Sequence, residues 1–232
     1  MTRIYIGNQF CHNLFPRKEL LFQVLEKALE NNLAVTLAFS YIRNHLLEEI
    51  DELLQELEVW CQSREKEAGK DQEEIIVNDW AMPILLQGKP HLKPVLGVLL
   101  NKRRKDVRLP DIHGIGNHVD SLGENNLNCG FYQDYLKNTF DIQRFEFESC
   151  GYKVTIPDGH HSLHLPFIQT NTSQYCTLYA VCRYGDRGKQ KLPENCPRYC
   201  NKKVILYPKH LKMLGRYNSQ FGYDETIVWY DK

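Results

Sequence analysis

Two spacings of apolar residues recur along the chain, and together they lay out its elements. RIYIG at 3–7 is a short β-branched and aromatic run that predicts a strand. Pro16 is placed to open a helix, and Leu20, Leu21, Val24, Leu25, Ala28 and Leu29 then repeat at helical spacing, with Asn31 and Asn32 as stop residues. AVTLAFS at 34–40 is unbroken and apolar, the pattern of a strand covered on both faces. A second helix is expected from Asn44 to Gln62, with Leu47, Ile50, Leu54, Leu57 and Cys61 on one stripe and an acidic solvated face elsewhere. A polar linker at 63–73 leads to strands at 74–80 and 94–100.

The second half is less regular. Residues 106–130 read as a long loop rich in Gly, Asn and His, and 131–139 as a helix. At 142–148, Arg144, Glu146 and Glu148 alternate with Phe145 and Phe147, as on a strand. Residues 162–169 give another strand, with Pro166 marking an edge or bulge, and 203–207 and 226–230 give two more. Strands alternating with helices predict a parallel sheet with helices outside. Eight strand candidates point to an α/β fold of the (β/α)8-barrel type, trimmed or irregular in its second half, with an open parallel sheet as the alternative. The expected organisation is one domain over 1–232 with a cysteine-rich loop at 171–203.

Composition adds exclusions. Apolar residues make up 42% and charged residues 25%, so a packed core is expected rather than disorder. The 29 basic and 29 acidic residues cancel, which excludes a chain that binds nucleic acid through its overall charge. No apolar run approaches the ~20 residues of a membrane span, and MTRIYIGNQF lacks the pattern of a secretory signal. The expected compartment is the cytoplasm, where thiols stay reduced.

Four of the eight cysteines, Cys176, Cys182, Cys196 and Cys200, fall in one window with spacing C-x5-C-x13-C-x3-C. Clustered cysteines in a reducing compartment are read as metal ligands before disulfides. Structural zinc favours C-x2-C knuckles, and none is present, so an iron–sulfur cluster comes first and zinc second. In a barrel, sites lie at the C-terminal ends of the strands. Cys11 follows the first strand and is a further candidate ligand, so four of five cysteines would serve.

At the same strand ends stand Asp79, which is either a general base or a turn cap, and Glu146 with Glu148, which are either an acid–base set or part of an ion-paired barrel interior. His160, His161 and His164 read as loop and strand histidines. Lys102, Arg103, Arg104 and Lys105 form a basic run, a soluble rim or an RNA contact. There is no G-x-S-x-G elbow and no H-E-x-x-H pair.

Several segments resemble the collagenase-like peptidase family of unknown catalytic type, nearest its accessory proteins of oxygen-independent ubiquinone hydroxylation. IYIGNQFCHN is similar to the family's first strand, EIIVNDW to its third and PVLGVLLNKRRKD to its fourth. HLPFIQTNTSQYC resembles the segment leading into Cys176, CPRYC the pair Cys196 and Cys200, and RYNSQFGYDETIVWY the closing strand. The resemblance implies a barrel holding a 4Fe-4S cluster on Cys11, Cys176, Cys196 and Cys200, with Cys182 as rival for the fourth place. It further implies redox or hydroxylation chemistry, as a hydroxylase component, and a heterodimer with a related barrel protein. Two other functions stand beside it: a zinc-stapled module that binds RNA or protein without catalysis, and a peptidase.

Overall fold

The computed structural model describes residues 3–68, 73–104, 123–148, 154–164, 175–189, 191–193 and 196–202. The expected strands at 203–207 and 226–230, most of the loop at 106–130, and Lys105 lie outside the described residues. The chain divides into two compact units: Met1–Lys102 with Asn125–Phe147 and Ile156–Ser162, and Arg103–Glu124 with Glu148–Thr155 and Leu163–Lys232.

The first unit is an α/β layer. Strands β1 (Arg3–Gly7), β2 (Ala34–Ala38), β3 (Glu73–Val77) and β4 (Leu92–Leu96) form a parallel sheet in sequential order. Helices α1 (Lys18–Glu30), α2 (Leu47–Ala68) and α3 (Ala81–Leu85) connect them. Sequential parallel order with right-handed crossovers sends every connecting helix to one face. The register decides which residues meet them: Ile6, Leu37, Ile75 and Pro94 fall in one row, and Leu37 and Ile75 are fully buried. Burying such side chains contributes roughly 2 kcal/mol each. The stripes that answer them are Leu21, Leu25 and Ala28 on α1, and Leu54, Leu57 and Cys61 on α2.

The next row belongs to the opposite face and carries Tyr5, Thr36, Glu74 and Lys93. Arg144 lies just ahead of β5 (Glu146–Glu148), and a parallel bridge from Leu96 to Phe145 places that segment beside β4. Ser162, at the start of β6 (Ser162–His164), donates its N–H to Phe145 O at 3.1 Å. The strand sequence therefore continues edgewise in chain order. Helix α4 (Gly130–Phe140) follows the expected 131–139 closely.

Four of the differences from expectation have a visible physical reason. Pro16 precedes α1 instead of opening it, because the first helical bond runs from Leu21 N to Arg17 O. The helix expected to stop at Gln62 runs on to Ala68, through much of the expected linker. Trp60 Nε1 donates to Glu26 of α1 at 3.0 Å, and Arg64 both pairs with Glu26 and stacks over the Trp60 ring, so the extra turns are anchored on α1. The fourth strand ends at Leu96, because Gly97 turns the chain and its carbonyl takes the N–H groups of Leu100 and Asn101. The cysteine segment is not wholly loop: α5 (Thr177–Tyr184) lies inside it, closed by Gly185 in the left-handed conformation at φ 67°. Eight strands are not present among the described residues, and the parallel sheet has four.

Candidate functional site

The C-terminal ends of β1 to β4 are tied together by Asn78. Its Nδ2 donates to Phe39 O at 2.9 Å and Gln9 Oε1 at 3.2 Å, and its Oδ1 accepts Leu99 N–H at 3.1 Å. One buried amide thus joins loops from four strands. Asn8 Oδ1 accepts from Phe10 and Cys11 N–H, both at 2.9 Å, a short turn that fixes the backbone at Cys11. Asp79 takes the capping role: its Oδ1 accepts from Ala81 N at 2.8 Å, at the start of α3. That is the contact of a turn cap.

Glu146 is fully buried, accepts from Tyr5 OH at 3.0 Å, and lies 4.0 Å from Arg144. Arg144 also binds Glu74 and Ser162 Oγ. This is an ion-paired interior, the plainer of the two readings. Burial, and then the charge of Glu146, raise the Tyr5 phenol above its ordinary value, so it is a neutral donor at pH 7. Glu148, in the second unit, is also buried, and its carbonyl takes the Arg103 guanidinium. His161 stacks on Phe145 at 4.9 Å, its Nδ1 accepts Phe145 N–H, and its Nε2 faces Asp158 O. Burial holds it below the usual histidine range.

Cys11 belongs to the first unit, and Cys176, Cys182, Cys196 and Cys200 to the second. Cys176 is the N-cap residue of α5, and its Sγ accepts Tyr179 N–H at 3.3 Å. Tyr179 packs against Tyr199 with ring centroids 6.2 Å apart, which sets the first turn of α5 beside the 3₁₀ turn Tyr199–Asn201 that contains Cys200. Cys182 lies on α5, and Cys196 is half-buried. Among the described residues no three His, Cys, Asp or Glu side chains are gathered as the ligands of one metal ion.

Sequence reasoning missed a basic group at the same strand ends. His12 follows β1, and Arg43 and His45 follow β2. Burial lowers His12 from its ordinary value, and the charges of Arg43 and His45 lower it further. The available signal was position, since each residue stands a few places past a strand. At the other end of the sheet a groove of about 350 Å³ runs between α3, β4 and α4, with Lys93 and Lys137 on its walls. No helix among the described residues is long and apolar enough to cross a membrane.

A scan against protein-family models, a search of curated proteins and a search of solved structures each return no match.

Proposed function

We propose that this chain is a cytoplasmic barrel-type protein whose cysteine segment takes up an iron–sulfur cluster for redox or oxygen-independent hydroxylation chemistry, as the family resemblance implies. The observation that carries this reading is the pairing of α5 with the Tyr199–Asn201 turn, which brings the chain near Cys176 and near Cys200 into one small packed piece. The hydrogen bond from Tyr179 N–H to Cys176 Sγ supports it further, because hydrogen bonds to ligand sulfurs tune such clusters. The sulfurs would be drawn in on metal uptake, since binding sites of this kind form together with their metal. The ligands are Cys176, Cys196 and Cys200, with Cys11 or Cys182 fourth. Sequential parallel strands with helices on one face support the closed (β/α)8 form. A related barrel protein is the proposed partner.

Zinc on the same cysteines is the second reading. RNA contact through Lys102 to Lys105 has less support, because Lys102 Nζ donates to Leu99 O at 2.6 Å and Arg103 to Glu148 O, both bonds within the chain. The test is anaerobic reconstitution with iron and sulfide. A brown protein with about four irons per chain is expected, and Cys196→Ser should lower the iron content. A colourless chain that takes one zinc would favour the second reading, and a chain that takes neither metal would end both.

A further inference from the structure

We infer that α5, the turn that follows it and the Tyr199–Asn201 turn form a binding face for single-stranded nucleic acid, with Tyr179 and Tyr184 stacking bases and Arg183, Lys189, Arg198 and Lys202 taking phosphates. The face lies wholly in the second unit, uses none of Lys102 to Lys105 and needs no metal on the cysteines. Local sequence builds it. Tyr179 and Arg183 are four residues apart on the helix, so they stand on one side of it. Gly185, left-handed at φ 67°, stops the helix. The chain then doubles back, because Asp186 Oδ1 accepts Gly188 N–H at 2.8 Å and Asp186 O accepts Lys189 N–H at 3.3 Å. That turn carries Lys189 over the Tyr184 ring, with Nζ 6.0 Å from the centroid. The Tyr184 and Tyr179 rings are 6.0 Å apart and nearly perpendicular, at 81°, and Tyr179 meets Tyr199 at 6.2 Å. Arg198 and Lys202 stand on either side of the 3₁₀ turn that carries this last ring.

The charge on this face is local and unspent. The chain as a whole carries 29 basic and 29 acidic residues, yet between 175 and 203 the acids are Asp186 and Glu194 alone. Asp186 turns its carboxylate onto its own loop. Arg183, Lys189, Lys191, Arg198 and Lys202 are all exposed, and among the described residues Arg183, Lys191, Arg198 and Lys202 have no ion-pair partner. Tyr184 is exposed as well. Ring faces beside point cations match a strand in which each base is followed by a phosphate, whatever its sequence. A lipid surface fits less well, since it needs a helix with a broad apolar face. On α5 the exposed residues are Thr177, Arg183 and Tyr184, while Leu178 and Val181 are half-buried.

The test is fluorescence anisotropy of the full chain, without iron, with labelled mixed-sequence single strands of about 12 nucleotides, one of RNA and one of DNA. An abasic strand of the same length, a duplex, and competing vesicles of phosphatidylglycerol and phosphatidylcholine complete the set. Tightest binding to a base-bearing single strand is expected, falling steeply with salt, and the tighter of RNA and DNA names the ligand. Tyr184→Ala should weaken it about tenfold, the loss of one stacked base, and Tyr184→Phe should leave it unchanged. Lys189→Gln should lower the salt slope by about one. An abasic strand or duplex bound as tightly, vesicles that displace the strand, or Tyr184→Ala binding as the parent does would overturn the site. Should Tyr184→Ala fail to fold, the abasic comparison on the parent chain decides alone.

Discussion

Arg3 and Arg144 share a single oxygen of Glu74: Arg3 Nη1 donates to Oε2 at 2.6 Å, and Arg144 Nη1 reaches the same atom. Thr36 Oγ1 donates to it as well, at 2.8 Å. The carboxylate therefore joins β1, β2 and β3 to the segment ahead of β5, on the face away from the helices. Replacing it with Ala leaves two half-buried guanidiniums facing each other. Breaking a pair of this kind by removing one partner costs about 3 kcal/mol. Urea unfolding of Glu74→Ala should show that loss, and a change under 1 kcal/mol would mean that solvent screens the network. Arg3→Ala should cost less, because Arg144 still neutralises Glu74 and the Arg3 side chain is 31% exposed.

How much of this was legible in the sequence depends on range. Strands β1 to β3 and helix α4 were readable because local period and apolar run suffice for them. The end of β4 was not, since Val98, Leu99 and Leu100 are as buried as the strand itself and only the Gly97 turn separates them. Helix α5 spans only 8 residues, too few for a periodic stripe to stand out, although Gly185 just past it is a stop signal of the ordinary kind. The Glu74 network could not be read at all. It joins residues some seventy positions apart, and nothing local to Glu74 names Arg144. The His12, Arg43 and His45 group is a middle case, visible once strand ends are taken as the place to look.

Gly97 and Asn78 make a second constraint. A Cβ on Gly97 would lie 2.1 Å from Asn78 Oδ1 and 2.6 Å from Ile76 Cγ2, so Asn78 would have to leave its bonds to Phe39 and Leu99. Gly97→Ala should cost about 2 kcal/mol through overpacking and lost hydrogen bonds. Asn78→Ala alone should destabilise comparably. The double variant should then cost well under the sum, because both changes break one network. Strict additivity in thermal or urea unfolding would show that the two do not interact.

His161 sets a pH dependence with a definite sign. Its folded value lies below the unfolded 6.5, chiefly through burial, with Arg144 and His160 adding repulsion. As pH falls through 6.5 the unfolded chain takes up the proton first, so the native state loses stability on acidification. Above pH 7 the ring is neutral in both states and contributes no slope. His161→Gln should flatten the stability profile between pH 7 and about 5 relative to the parent, measured by urea midpoints at each pH. A steeper slope in the variant would reverse the assignment.

Cys61 and Cys129 should separate cleanly in a thiol-labelling experiment. Cys61 lies on the buried stripe of α2, and burial, with Glu73 and Glu58 nearby, pushes its thiol up to about 12. Only the thiolate attacks an alkylating reagent, so at pH 8 about one Cys61 in ten thousand is reactive, before access is considered. Cys129 is exposed at the start of α4, within reach of the reagent. Native labelling with iodoacetamide followed by peptide mass spectrometry should mark Cys129 within minutes and leave Cys61 untouched until urea is added. Equal labelling of the two in the native chain would mean that α2 does not stay docked on the sheet, and the core described by Leu54, Leu57 and Cys61 would have to be redrawn.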